Sequence, residues 1–199
     1  MGTAVAAGKT EGTVVVLGDS LSAGYGIKVQ EGWVNLLAKR LTVEGYGYRV
    51  VNASVSGETT QGGLARLPRV LALNKPAVVV VELGGNDGLR GLQLAASRAN
   101  LEKIIERTRA VGAKVVLAGM MIPPNYGPRY TEEFRSMFTT LATKHRVALV
   151  PFLLDKVALD PALMQEDGIH PNAKGQPRIL ENLWPLLEPL LVAPARSAR

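Results

Sequence analysis

The chain has 199 residues, 47% hydrophobic and 20% charged, with a net charge of +6. That length suits one domain with a substantial core and is short for two. There is no cysteine and there are two histidines, which excludes disulfide scaffolds, thiol nucleophiles, Cys-based zinc sites and iron–sulfur clusters, and leaves any imidazole chemistry to His145 or His170. The basic residues are dispersed, Lys39-Arg40 being the one adjacent pair, and aromatics make up 5%. Neither a basic stripe nor a set of stacking rings marks a nucleic-acid surface. No apolar run approaches the roughly 18–20 residues of a membrane span: residues 77–81 run into Glu82, and residues 115–122 into Pro123-Pro124.

Residues 1–12 are rich in Ala and Gly and lack the apolar centre of a signal peptide. They are expected to be a flexible leader, ahead of a single domain over residues 13–192 and a flexible, basic tail over 193–199. Along the chain, a first β-branched run over 13–17 ends in Gly18-Asp19-Ser20-Leu21-Ser22. Trp33, Leu36, Leu37 and Leu41 then share one helix face. A second run over 49–52 leads to Ser54-Val55-Ser56-Gly57-Glu58, and a third over 77–83 to Gly84-Gly85-Asn86-Asp87. A helix follows, with Leu101, Ile104, Ile105 and Val111 on one face, Ser97 as its N-cap and Gly112 as its stop. A fourth run covers 114–118. Thr131 ahead of Glu132-Glu133 opens another helix that ends near Lys144 and His145, matching the helix dipole. The fifth run is 147–150. Asp167-Gly168-Ile169-His170-Pro171 precedes a final helix over 173–183, limited by Pro185 and Pro189. Largely unalternating runs are strands buried on both faces. Their alternation with helices predicts an α/β fold: a parallel sheet with helices on both sides.

In such a sheet, chemistry belongs beyond the carboxyl ends of the strands, where this chain carries a hydroxyl, a flexible Gly, an amide and an Asp/His pair. That set is the inventory of acyl transfer. Ser20 is the candidate nucleophile on a tight strand-to-helix turn, although an isolated Gly-Asp-Ser is more often a helix cap. Ser22 is its structural neighbour. His170 is the candidate base, and Asp167, three residues earlier, holds its tautomer. His145 sits at a basic helix end, where a His commonly meets the dipole. Asn86 and Gly57 are candidate oxyanion donors, although Gly-Gly-Asn-Asp is also ordinary turn chemistry and Gly57 could simply start a helix. Two apparent motifs carry no weight. Gly8-Lys9-Thr10 lacks the earlier glycine and the strand of a phosphate-binding loop, and Asn52-Ala53-Ser54 is a weak glycosylation pattern at a strand end. No spacing of His and carboxylates supports a metal site.

The blocks around Ser20, Gly57, Asn86 and His170 resemble those of the SGNH (GDSL-type) hydrolase family. The likeness extends through Gly63-Leu64-Ala65-Arg66-Leu67-Pro68 and over residues 81–91 and 167–172. The Gly-x-Ser-x-Gly elbow of ordinary α/β-hydrolases is absent, since positions 18–22 read Gly-Asp-Ser-Leu-Ser. The resemblance implies a three-layer αβα, flavodoxin-like fold whose five-stranded parallel sheet has the order 2-1-3-4-5. It implies Ser20 as nucleophile, His170 as base, Asp167 as its orienter, and an oxyanion hole from the Ser20 and Gly57 backbone N–H groups and the Asn86 amide. It implies hydrolysis of carboxylic esters and acyl thioesters, small-molecule substrates, no cofactor, a monomer without stable membrane insertion, and a periplasmic or secreted site of action. Residues 122–130 resemble a mobile substrate loop of the family, here carrying Pro123-Pro124. Ile122, Tyr126 and Leu21, with the apolar stretch 152–164, are candidates for an acyl pocket, although ordinary core packing accounts for them equally well. Two other readings stay open: a carbohydrate O-acetyl esterase using the same residues, and a non-catalytic module binding a phosphate at the first helix N-terminus.

Overall fold

The computed structural model describes residues 12–193. The expected leader up to residue 11, the tail from residue 194 and Gly8-Lys9-Thr10 lie outside the described residues. Five parallel strands, β1 (Gly12–Gly18), β2 (Tyr48–Asn52), β3 (Val78–Glu82), β4 (Lys114–Ala118) and β5 (Ala148–Val150), form one sheet of order β2-β1-β3-β4-β5. The expected strand order is therefore observed, and every expected run is a strand to within a residue or two. The sheet is parallel because each strand pair is joined by a helix: α2 (Trp33–Val43), α3 (Thr60–Asn74), α5 (Leu94–Ala110) and α6 (Pro128–His145). Two short helices, α1 (Ser20–Ala23) and α4 (Gly85–Leu89), follow β1 and β3, and α7 (Gln176–Leu187) closes the domain. α2 and α7 pack together on one face, and α3, α5 and α6 on the other.

The core lies on both sides of β1 and β3. All four valines of β3 and Val14, Val15, Val16 and Leu17 of β1 are fully buried. Each contributes roughly 1.5–3 kcal/mol of transfer free energy relative to exposure. Among the described residues, no helix is long and apolar enough to cross a membrane.

Four helix boundaries differ from the pattern read in the sequence. Ser97 is not an N-cap: α5 begins at Leu94, and the buried Ser97 hydroxyl donates to Asp87 Oδ1 at 2.8 Å. α6 begins at Pro128 rather than Thr131, whose hydroxyl instead bonds back to the Gly127 carbonyl at 3.0 Å. The final helix starts at Gln176, because Asn172 Oδ1 ties the Lys174 N–H into a turn at 2.9 Å. It also runs through Pro185. Pro185, like Pro68 inside α3, lies on the solvent side of its helix, where the carbonyl that proline leaves without a donor can bond water. Gly112 does end α5, one residue past its C-cap, with φ +82.

β4 and β5 meet closely at their carboxyl ends. The Gly119 N–H donates to the Val150 carbonyl at 2.7 Å, and its carbonyl accepts from Leu153 N at 2.9 Å. A Cβ on Gly119 would stand 2.5 Å from the Pro151 carbonyl oxygen and 2.7 Å from that of Val150. These are backbone atoms and cannot swing aside. Gly119→Ala is therefore expected to cost about 1–3 kcal/mol by overpacking. Thermal unfolding followed by circular dichroism should show this as a Tm several degrees lower.

Candidate active site

The first turn after β1 is held open by its own side chains. Asp19 is the N-cap of α1, its Oδ1 accepting the Leu21 N–H at 3.0 Å, and Gly24 ends the helix in the left-handed region at φ 80. This four-residue helix presents Ser20 at the carboxyl edge of the sheet. His170 Nε2 lies 2.9 Å from Ser20 Oγ, and His170 Nδ1 lies 2.6 Å from Asp167 Oδ2. The other carboxylate oxygen, Oδ1, accepts the N–H groups of Ile169 and His170, each at 2.9 Å. The His170 backbone N–H, followed by the His170 ring and the Ile169 N–H, holds the Asp167 carboxyl down at about 2 against the opposing effect of burial. An ionised carboxylate only accepts, so Nδ1 carries the ring hydrogen and Nε2 is left to accept from the Ser20 hydroxyl. The Tyr25 ring packs on the imidazole, with centroids 4.5 Å apart, and the Tyr25 carbonyl is tethered by Gln165 Nε2 at 2.8 Å.

Two loops complete the edge. After β2, the Glu58 N–H reaches the Val55 carbonyl at 3.1 Å, closing a β-turn whose third residue, Gly57, has φ +78. Only Gly takes that position at little cost, so Gly57 belongs to a turn and starts no helix. Neither the Ser20 nor the Gly57 backbone N–H has a hydrogen-bond partner among the described residues. After β3, Asn86 Nδ2 donates to Asp19 Oδ2 and to the Glu58 carbonyl, each at 3.0 Å. Both of its amide hydrogens are thus engaged, and a bond to an incoming oxyanion would replace or share one of them. Arg66, from α3, ties the loops together: it bonds the Ala53 carbonyl, the Gly18 carbonyl at 3.4 Å and Glu58 Oε2 at 2.7 Å. Arg90 Nη2 donates to the Gly57 carbonyl at 3.0 Å.

Behind Ser20 lies a buried polar layer. Glu82, the last residue of β3, has no solvent exposure, and its Oε2 accepts the Asp19 N–H at 3.1 Å and the Ser22 hydroxyl at 2.6 Å. Ser22 is thus structural, as expected. Burial pushes the Asp19 carboxyl above its ordinary range, and burial together with the Asp19 charge pushes Glu82 well above it.

The remaining expected residues are placed as follows. His145, at the C-terminal end of α6, lies at the opposite edge of the sheet, with Nε2 2.6 Å from Glu102 Oε1. Glu102, Glu106 and His145 have ligand-type atoms within 4.8 Å of one another, but Lys144 Nζ also stands 2.6 Å from Glu102 Oε1, and an ammonium there opposes a cation. Leu21 and Ile122 are buried in the core, at 7% and 9% exposure. Tyr126 is half-buried and donates its hydroxyl to the Leu89 carbonyl at 2.7 Å. From the stretch 152–164, Leu153, Leu154 and Val157 are buried core residues. A cavity of about 110 Å3 beside α1 is bordered by Ser22, Gly24, Asn35 and Asn52, and by none of the three residues expected to contact an acyl chain. Sequence reasoning missed Glu82, Tyr25 and Arg66 as parts of the site. A charge closing an otherwise apolar strand was the one available signal, and it pointed to Glu82.

The chain is similar to known proteins over most of its length. It is 56% identical over 179 residues to Esterase TesA of Pseudomonas aeruginosa, covering 90% of this chain and 89% of the relative. It is 44% identical over 179 residues to Thioesterase 1/protease 1/lysophospholipase L1 of Escherichia coli, covering 90% and 85%. A crystal structure of TesA superposes with a TM-score of 0.88 at 56% identity, covering 90% of this chain and 99% of that one. Residues 16–178, which run from the middle of β1 past His170, match one family description. With its sheet order, its Gly-Asp-Ser-Leu turn and its C-terminal Asp/His pair, the chain belongs to the GDSL-like Lipase/Acylhydrolase family.

Proposed function

We propose that the chain is a serine hydrolase that cleaves carboxylic esters and acyl thioesters, lysophospholipid-type substrates included, through an acyl-enzyme on Ser20. The observation that carries this reading is the unbroken hydrogen-bond chain Ser20–His170–Asp167, ending beside two backbone N–H groups that have no partner among the described residues. The names of the two relatives, an esterase and a thioesterase/lysophospholipase, support the substrate class.

In this mechanism Ser20 Oγ attacks the acyl carbon while His170 Nε2 takes its proton. Asp167 keeps the ring in the tautomer that can do so and stabilises the imidazolium that forms. The negative charge on the former carbonyl oxygen falls to the Ser20 and Gly57 N–H groups and the Asn86 amide. Collapse expels the alcohol or thiol, protonated by His170. A water then gives its proton to the same imidazole, attacks the acyl-enzyme and releases the acid. Leu21, Ile122 and Tyr126 are the proposed acyl contacts. By the resemblance, the proposed setting is the periplasm or exterior of a bacterium, where the enzyme acts as a monomer without stable membrane insertion. Cell fractionation and size-exclusion chromatography test these two points.

Ser20→Ala is expected to abolish p-nitrophenyl ester hydrolysis and labelling by a fluorophosphonate while leaving the circular dichroism spectrum unchanged. Undiminished turnover by that variant would exclude the mechanism. Asn86→Ala is expected to raise the barrier by about 2.7–4 kcal/mol, the cost of a lost oxyanion donor, read as kcat. Kinetics on matched ester and thioester series from acetyl to long-chain acyl groups should show turnover well beyond acetate. Activity confined to acetyl esters would point to a carbohydrate O-acetyl esterase instead.

The Asp167 carboxylate is expected to stay ionised over the range in which activity is assayed. Its folded-state value of about 2 lies below the ordinary value of about 3.9. Its contribution is therefore complete above the ordinary value and is lost only as pH falls through about 2. Above pH 4 the acid limb of log kcat/KM against pH is expected to be no steeper than one, with no proton uptake at Asp167. A slope of two above pH 4 would contradict that assignment.

A further inference from the structure

We propose that Glu82 and Asp19 form a buried acid pair holding one proton between them, and that this pair positions the Asn86 amide and the Ser20 turn. The inference rests on the reading of Asn86 as an oxyanion donor.

The pair is built into the sheet. Gly18 and Glu82 are register partners of β1 and β3, so the Glu82 carboxyl comes up directly beside the residue that precedes Asp19. A Cβ on Gly18 would stand 2.6 Å from Glu82 Oε2 and 2.7 Å from Ser22 Oγ. Glycine is needed there for space. Through Oε2 alone, Glu82 holds the Asp19 N–H and the Ser22 hydroxyl, which flank Ser20 on either side. Its other oxygen, Oε1, is buried without a partner among the described residues. A charged carboxylate with an orphan oxygen at full burial is costly. A proton removes the uncompensated charge, and the neutral acid so formed can donate to the neighbouring Asp19, whose own N–H already meets Glu82 Oε2 at 3.1 Å.

The proton belongs on Glu82 because Asp19 is already supplied with donors: Leu21 N on Oδ1 and Asn86 Nδ2 on Oδ2. Other titratable groups stand around the pair, Glu58 among them through its ion pair with Arg66. His170 acts on Asp19 from the catalytic face, with Asp167 behind it, and the Arg66 guanidinium reaches the Gly18 carbonyl at 3.4 Å.

An ionised Asp19 has one further effect. It can only accept, so Asn86 must turn its Nδ2, and not its Oδ1, toward the nucleophile. The carboxylate thereby fixes which end of the amide faces the reacting oxygen. Loss of the Glu82 proton at alkaline pH would put two charges side by side in the core and disturb that aim.

The pair is tested first on the unaltered protein. In 13C NMR of carboxyl-labelled chain, the assigned Glu82 carboxyl carbon is expected to keep the chemical shift of a protonated acid at pH 7. A carboxylate shift there overturns the proposal, with no need for a variant to fold. In kinetics, Asp19→Asn frees the Asn86 amide to flip and is expected to lower kcat, by at most the about 10²–10³ of a lost oxyanion donor, with KM little changed. Glu82→Gln, which keeps an acceptor for Asp19 N and a neutral donor toward Asp19, is expected to recover most of the kcat that Glu82→Leu loses and to flatten the alkaline limb of the pH profile. Equal losses in Glu82→Gln and Glu82→Leu, or an unchanged alkaline limb, would count against the shared proton. Failure of the hydrolase reading appears separately, as activity in Ser20→Ala, and leaves the NMR result unaffected.

Discussion

Parallel pairing leaves little freedom in where strand ends lie, and the site depends on that constraint. β1 pairs with β2 from Gly12 opposite Tyr48 to Val16 opposite Asn52, and with β3 up to Gly18 opposite Glu82. The three carboxyl ends are therefore level to within a residue or two. The loops that follow have only a short distance to cover before Ser20, Gly57 and Asn86 converge. The strand order places β1 between β2 and β3, so the chain leaves β1 at the point where the direction of winding reverses. A crevice at that point is the general ligand position of open α/β sheets. The bonds from Arg66 to the carbonyls of Gly18 and Ala53 then fasten the ends of two strands to α3.

The carboxyls at this edge illustrate how environment divides one functional group into separate tasks. Asp167 is partly exposed, accepts several N–H groups and is held ionised. Asp19 and Glu82 are out of water and pushed the other way. Asp87, also buried, accepts from Thr60 N and from the Thr60 and Ser97 hydroxyls, which ties the start of α3 to α4 and α5. The first holds the imidazole. The others hold the frame on which Ser20 and Asn86 sit.

Much of this was legible in the amino-acid sequence, for identifiable reasons. Strands buried on both faces show as unbroken Val/Leu runs, and all five stood out. Ser20, Gly57, Asn86, Asp167 and His170 follow strands or turns and carry side chains with distinctive chemistry. What stayed hidden depended on contacts distant in sequence. Ser97 has the composition of a cap, but its hydroxyl is taken by Asp87. Pro185 breaks helices in general, yet here it faces solvent within a helix anchored by buried Leu183, Trp184 and Leu187. The role of Glu82 requires knowing that β1 and β3 are neighbours, which no local pattern states. The acyl contacts were the least legible, because an apolar residue lining a binding surface and one filling a core look alike in sequence. Here Leu21 and Ile122 are both buried.

The hydrogen bond from Ser20 to His170 spans 150 positions of the chain. During synthesis, the whole sheet and six of the seven helices emerge before the histidine does. A nascent polypeptide can therefore display its serine hydroxyl for most of its translation without an imidazole to deprotonate it. Under the proposed mechanism, activity is switched on by completion of the fold, and a chain truncated ahead of Asp167 is expected to carry no latent hydrolase.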